Sequence, residues 1–501
     1  MIGYQYVLEI DVNTDLFGLM TYKFCCEPAI YGAYPYIIDP GLYQVQLFSG
    51  DKTTGASSYS YGEVILSNFK EYDETSGDLD FLTKKTLYGC QVRMFIGNVD
   101  AVYPTGFNAV YTAIIESVII NWDNISLTLR GRQAELDKAV DGGIFIGDGS
   151  FFEGSETLKD KRKPILIGRA FNFTPTLCNA TKQIYAVSPL TGLSANEIGS
   201  DLHIYDNGVE LYFEKVATNI TTQTALPGHF IASTDGYISL GAKPAGTITC
   251  SAAKRGYALS SHPSNLISYL LTLIGCADMI DDYSFSQYIL HDREERGIYI
   301  TTEMNISDII DKIMSPLGYW YFSPEGKMIL GRINIDDFDD PQTAYTLDTT
   351  TNVSSFCIRA TSDTTGGIPP YKVTIQYAKN YTVQTQLAGS VDTDRAARLK
   401  TEWLYSSISG VQTPLSEELI FETALSYYKQ ELMNELYYLY VKRVLIDVVV
   451  NRINFIDAIK LHPGQYVSMN TNGRFIGSKK MIVLNIIVNY VEESVTLTLW
   501  G

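Results

Sequence analysis

The 501 residues predict a mainly β, multidomain chain with a small α+β part. Three observations carry that prediction. The first is an echo between an early and a late stretch, IIESVIINWDNISLTLRG (114–131) and MIVLNIIVNYVEESVTLTLWG (481–501). Laying Asn121 on Asn489 puts Trp122 on Tyr490. With two extra residues in the later turn, Leu127-Thr128-Leu129 meets Leu497-Thr498-Leu499 and Gly131 meets Gly501. Both stretches alternate as half-buried strands do, so two copies of one β-domain bracket the chain. The second observation is a series of short strand-like runs cut by Gly, Asp, Asn, Thr and Ser clusters. The third is a change of apolar period, from two to about 3.6, confined mainly to the middle of the chain.

At this length one core does not suffice, and roughly three or four domains are expected. We divide the chain into a first β domain, a barrel or a sandwich (1–140), an all-β domain (141–255), a small α+β domain (256–345) and a second β domain like the first (346–501), which carries an insertion at about 382–412. In the first domain Tyr4–Val12, Tyr43–Phe48, Gly62–Ser67, Gln91–Ile96, Ala109–Trp122 and Ile125–Arg130 read as strands, with one helical signal around Asp80–Thr86. The glycines of DGGIFIGDGS (141–150) are followed by neither a helix-opening pattern nor GK[ST], so this is a linker and not a phosphate loop. In LHIYDNGVELYF (202–213) the dipeptide Asn207-Gly208 between alternating runs marks a tight hairpin.

The α+β segment opens with Pro263–Ile274, where Leu266, Leu270, Leu273 and Ile274 share a face, Pro263 starts the helix and Gly275 stops it. A second helix, Ile306–Met314, follows Asn305 as N-cap, and the hairpin Tyr319–Ile333 turns at Ser323-Pro324-Glu325-Gly326. In the last domain Lys372–Tyr377 reads as a strand, Thr393–Trp403 as a short helix whose Arg395, Arg398 and Lys400 make a basic face, and Leu415–Tyr438 as a longer helix. Strands at Arg443–Val450 and Ile459–Asn470 precede the closing hairpin.

Composition excludes several function classes. A net charge of −18 argues against a nucleic-acid-holding surface, because phosphate binding is driven by Lys and Arg. The start MIGYQYVLEIDVN lacks the basic and apolar regions of a signal peptide, and no run reaches the roughly 18 apolar residues of a membrane span, so no stable membrane insertion is expected. Cys25, Cys26, Cys90, Cys178, Cys250, Cys276 and Cys357 are scattered without CxxC spacing and read as buried small hydrophobes made in a reducing cytoplasm. The 36 tyrosines exceed both Phe and Trp, a bias that suits strands and subunit contacts alike.

No grouping favours catalysis, a cofactor or a metal. His203, His229, His262, His291 and His462 fall in no HxxxH or HExxH frame. Asp278, Asp281 and Asp282, like Asp336, Asp337, Asp339 and Asp340, lack the Gly and Glu of a calcium loop. Glu153 and Glu156 offer a carboxylate pair whose separation a sequence does not give. HDREER (291–296) mixes charge signs and reads as a solvated turn.

The wording of several segments, in order, resembles the tail-tip or baseplate hub proteins of long-tailed bacteriophages. GEVILSN (62–68), LDFL (79–82), GCQVRMFIGNVDA (89–101) and LRGRQAELD (129–137) resemble the opening tail-tube-like domain. KPILIGRAFNFTPTL (163–177), the DNG hairpin and STDGYISLGAKPAGTIT (233–249) resemble the second domain, with Cys250-Ser251 where many relatives carry an acidic residue. ISDIIDKIMSPLGYWYFSPEGKMILG (306–331) is similar to the small α+β domain, and ESVTLTLWG (493–501) to the closing one.

The resemblance implies a non-enzymatic virion protein of the tail tip or baseplate, made in the bacterial host cytoplasm. Its two tube-type barrels then form part of the DNA channel as a pseudo-hexameric homotrimer. Implied partners are a distal tail or tail-tube ring above, a tip or fibre protein below and a tape measure protein in the lumen, while DNA passes without specific binding. The competing class is a host-glycan-binding or glycan-cleaving tail protein that grips sugars on its aromatics. The hub reading explains the duplicated β-domain and the lack of catalytic grouping; the glycan reading explains the aromatics.

Overall fold

A computed structural model describes residues 3–501 apart from 15–17, 27–29, 31, 49–56, 70–78, 257–259, 335–344, 360–369, 413–415, 442–443 and 474–476. Strands make up 42% of the chain and helices 17%, so the protein is a multidomain, mainly β chain. Two compact units divide it: Met1–Leu136 with Leu317–Pro369 and Tyr438–Gly501, and Asp137–Pro316 with Pro370–Tyr437.

The first unit holds two large sheets. Strands β1 (Tyr4–Thr14), β2 (Gly18–Cys25), β3 (Ile37–Asp39), β4 (Leu42–Gln46), β5 (Ser58–Tyr61), β6 (Glu63–Ser67), β7 (Gln91–Asn98), β8 (Phe107–Ile120) and β9 (Asn124–Gly131) come from its first segment. The later segments add β10 (Thr346–Asp348), β11 (Val353–Arg359), β12 (Leu445–Val450), β13 (Tyr466–Asn470), β14 (Ser478–Asn489) and β15 (Ser494–Trp500). One sheet has the order β2-β1-β7-β8-β9-β6-β3 and the other β10-β13-β14-β15-β12-β11.

Five strands of each sheet repeat in order and in register. Val118 lies opposite Leu127 and Ile115 opposite Leu129, with a slip at Glu116. In the second sheet Ile486 lies opposite Leu497 and Val483 opposite Leu499, with the slip at Leu484. This is the alignment that the echoed hairpins dictate, two extra residues included. Outward from the hairpin, Val64 faces Leu127 as Val448 faces Leu497. Ile37 and Asp39 meet β6 across a slip, and Val353 and Ser355 meet β12 across another. On the other flank Val92 pairs with Ala113 as Val467 pairs with Met481. The repeat ends there, since β1 joins β7 antiparallel whereas β10 joins β13 parallel.

Alternation gives each sheet one apolar face, and the two faces share a single core. Leu8, Ile10, Val64, Leu127 and Leu129 pack in the same cluster as Val448, Val483, Leu497 and Leu499. On the opposite face of the first sheet Glu9 of β1 stands in register between Lys23 of β2 and Arg93 of β7. Arg93 lies 2.9 Å from Glu9 and 2.7 Å from Asp11, Lys23 lies 3.4 Å from Glu9, and the Tyr103 hydroxyl donates to Glu9 at 2.6 Å. Such opposite-charge cross-strand neighbours stabilise a sheet locally. Burial raises the Glu9 carboxyl, but hydrogen bonds from Tyr103 and Arg93 outweigh it and hold the group below its ordinary value.

The second unit is built on two five-stranded sheets. One runs Val209–Glu210, His203–Asp206, Ile248–Lys254, Ile165–Phe173 and Gly297–Ile300 in spatial order; the other runs Thr176–Asn179, Ile184–Ala186, Tyr237–Leu240, His229–Ala232 and Tyr212–Val216. Phe173, Tyr185, Ile198, Phe230, Ile238 and Cys250 fill the space between them. Asn207 (φ 50°) and Gly208 (φ 86°) both adopt the left-handed backbone of a tight hairpin turn, as their identity requires. The helices Pro263–Leu273 and Ile306–Met314 form where apolar spacing places them.

One expected element is overturned. The described part of 415–438 is not one helix: Glu418–Glu422 is a strand parallel to Lys372–Tyr377, and the helix Gln430–Val441 starts only later. Glu418 and Glu422 have the spacing of a helix face, but residues four apart also share one face of a strand, and Phe421 on the other face is the residue that becomes buried.

Two outcomes are expected. Leu127→Ala and Leu497→Ala, both at fully buried positions, should each cost about 2–5 kcal/mol in denaturant unfolding; a loss well under 1 kcal/mol at either would contradict a shared core. Because the Glu9 pKa is lowered by folding, its contribution is fully present above about pH 4.5 and is lost as pH falls through the folded value. Acid unfolding of Glu9→Gln should therefore be shallower over that window than that of the unmodified chain.

Candidate functional site: the joint between the repeated sheets

The strand β4 leaves the first sheet between β3 and β6 and adds to the second. Its residues Leu42–Gln46 pair with Asn489–Asn485 of β14, and β5 pairs behind it. The Leu47 amide extends the ladder to the Leu484 carbonyl at 2.8 Å. Around this seam the tyrosines converge. Tyr43 stacks on Tyr111 at 5.7 Å, Tyr61 meets Tyr111 edge-on at 5.1 Å and Tyr6 meets Tyr490 edge-on at 5.6 Å. The Tyr6 hydroxyl also donates to the Tyr490 carbonyl at 3.0 Å. Burial pushes the phenols of Tyr43, Tyr61, Tyr111 and Tyr490 well above their ordinary value, so all stay neutral. Edge-to-face rings add roughly 0.5–1.5 kcal/mol a pair beyond area burial.

The hairpin Gly318–Phe322/Met328–Arg332 lies over both sheets of this unit. Ser57 donates to the Trp320 carbonyl and Thr112 to the Pro324 carbonyl at 2.7 Å, while Tyr319 reaches the Gly464 carbonyl at 3.3 Å. Tyr321 stacks on His462.

The other sequence-level candidates lie apart. His203 sits 2.7 Å from Glu210 at the surface, while His229 opens a strand, His262 precedes the helix Pro263–Leu273 and His291 ends the helix Asp282–His291. Glu153 pairs with Lys163 at 2.6 Å and accepts the Ile146 amide, whereas Glu156 opens a short turn of helix. Asp281 caps the helix Asp282–His291 through the Ser284 amide at 2.7 Å. Among the described residues no group of three or more His, Cys, Asp or Glu is placed to hold a metal ion; Asp336–Asp340 lie outside them.

Three expectations need correction. HDREER (291–296) is not a solvated turn. Arg296 is 1% exposed and Asp292 6%, their side chains 2.8 Å apart, with Tyr288 donating to Asp292 at 3.0 Å. Glu294 pairs with Lys429, and Glu295 with Arg169. Arg395 and Arg398 do not form a basic face: Arg395 lies over the Tyr205 ring at 3.7 Å and Arg398 over Phe171 at 4.5 Å. The cysteines are not uniformly buried, since Cys357 is exposed and Cys26, Cys90 and Cys276 are partly so.

The second unit has a cleft of about 300 Å³ lined by Arg169, Phe171, Asp201, Lys379, Tyr381 and Arg398. Its aromatic rings already carry cations: Arg398 lies over Phe171 at 4.5 Å and Lys379 over Tyr381 at 5.4 Å. A sugar stacking here would first have to displace these cations.

No protein-family model and no curated protein matches the chain. Solved structures do resemble it. A 43 kDa tail protein of prophage MuSo2 from Shewanella oneidensis is 9% identical, over 99% of this chain and 98% of its own, at TM-score 0.40. A tail protein from Neisseria meningitidis MC58 is 10% identical, over 99% and 96%, at TM-score 0.36. A chain of a native gene transfer agent virion is 10% identical, over 72% of this chain and 91% of its own, at TM-score 0.42.

The joint is testable within one chain. Val45→Pro removes a ladder amide from the middle of β4, where Val45 faces Ile486 on one side and Tyr59 on the other. Hydrogen exchange at Asn485–Asn489 should accelerate by at least tenfold, while β12 and β15 keep their protection.

Proposed function

We propose that the chain is a structural protein of a bacteriophage tail, a tip or baseplate hub that joins the tail tube to the distal tip or fibre. The observation that carries the reading is the register-matched duplication: two copies of one five-stranded sheet in one chain, joined through β4. Closed cyclic assemblies are the usual outcome when identical surfaces repeat. Three chains present six sheets, and a ring of six quasi-equivalent sheets can meet a true six-fold ring without a gap. The two repeated sheets of the first unit supply the ring, and the remaining segments serve its neighbours. The proposed neighbours are a tail-tube or distal tail ring above, a tip or fibre protein below and a tape measure protein in the lumen.

The charge supports the same reading. Three chains of −18 each bring −54 formal charges, and a conduit that must release DNA gains from repelling phosphate. The sequence resemblance to phage hub proteins supports it too. The glycan reading is weakened because the aromatic rings of the cleft in the second unit already carry cations.

Quantitative mass spectrometry of intact particles should count three copies of the chain each, and the assembled ring should give no tight, salt-sensitive shift of DNA in a gel. A count of six, or a ring whose wall excludes either repeat, overturns the proposal.

A further inference from the structure

The register match also exposes a difference. In the second sheet β14 pairs with β13 through Ser478–Ile482 and with β4 through Asn485–Asn489, so its edge is occupied along most of its length. In the first sheet β8 pairs with β7 only from Phe107 to Ile114, and the Ile115 amide closes the contact on the Cys90 carbonyl. Among the described residues no strand follows along that edge from Ser117 to Ile120. The repeat equates Ser117–Asn121 with Asn485–Asn489, the five residues that β4 covers in the other sheet.

The side chains tell the same story. Trp122 is 93% exposed where its counterpart Tyr490 is 1% exposed, and Ile120 is 48% exposed where Val488 is 1%. Ile119 is 53% exposed beside them. Val488 and Tyr490 are covered by β4 and by Tyr6 of the other repeat, which shows what kind of surface this edge takes. An apolar open edge with a bare tryptophan is a template for strand addition, and neither a lysine nor a proline blunts it between Ser117 and Trp122.

We infer that the β8 edge Ser117–Trp122 is the closing interface of the assembly, and that a second copy of this chain covers it as β4 and Tyr6 cover β14. The occupant comes from the residues after 345 of the neighbouring copy, because the chain's own β4 already serves β14; it is a strand other than a β4 counterpart, which the second repeat lacks within this unit. The edge then receives main-chain hydrogen bonds from an added strand, with Ile120 and Trp122 as the apolar anchors. This rests on the trimer proposed above and adds the surface through which it closes.

The test replaces Trp122 with p-benzoylphenylalanine in the full-length chain and irradiates both the purified protein and particles that contain it. Covalent chain-to-chain products, mapped by mass spectrometry from position 122 to residues after 345 of another copy, are expected. The pair Ile120→Lys and Trp122→Asp, at exposed positions, should weaken chain–chain association at least tenfold at unchanged melting temperature. Products only to a different protein, in particles holding three copies, would overturn the edge assignment and leave the trimer standing, as would undiminished association of the double variant. Particles holding six copies would instead remove the trimer on which the inference rests.

Discussion

Everything in the first unit depends on one short strand belonging to the wrong sheet. Isolated sheets of five strands with one apolar face must find a second layer, and two copies of the same sheet serve as each other's layer only if something fixes their relative register. The strand β4 does this by adding five residues to β14 while remaining covalently between β3 and β6. The tyrosines then fill the seam, where their large rings bury apolar area and the Tyr6 hydroxyl reaches the Tyr490 carbonyl. The excess of tyrosine is thereby given a place: strand propensity puts Tyr in these positions, and the seam uses it as a contact residue inside one chain.

The joint explains why the hairpin Gly318–Phe322/Met328–Arg332 sits where it does. It takes partners from β5 and β8 on one side and from the loop before β13 on the other, so it bonds to both repeats at once. Its position was not legible from sequence. The helix Ile306–Met314 and the hairpin are continuous in chain and in pattern, and nothing local marks the change of unit between them.

What was legible was periodic or conformational. The echo of Ile114–Gly131 in the last residues gave the register of two sheets, slip included, because a slip shifts side-chain alternation by one and the aligned wording carries that shift. Asn207-Gly208 gave its turn because few other residues accept positive φ at both positions. The stretch 415–438 failed because glutamates four apart also lie on alternate strand positions, and only the strand Lys372–Tyr377, some forty residues earlier, decides between them. The buried Asp292–Arg296 pair was hidden in a charged run for a related reason. Its outward neighbours are answered by Arg169 and Lys429, more than a hundred residues away on either side, and a window sees none of them. The helix Ala195–Asp201 went unread, although Ser194 and Glu197, whose reciprocal cap is formed in the structure, carry the capping-box spacing that could have found it.

The differences between the repeats are as informative as the match. Five strands are held alike while the sixth reverses direction, and the stretch that gives β4 and β5 in the first repeat is replaced by 360–444 in the second, most of which belongs to the other unit. What the two copies share is one sheet and its register; the connections between their strands differ. Linking two such sheets in one chain also changes the thermodynamics of a ring. Of six seams in the proposed assembly, three are formed when the chains fold, and the other three form at the cost of only two associations in translational and rotational entropy, the last seam closing within the ring. Each remaining seam joins bodies that already carry one correctly set joint, so the ring needs two encounters where six separate subunits would need five.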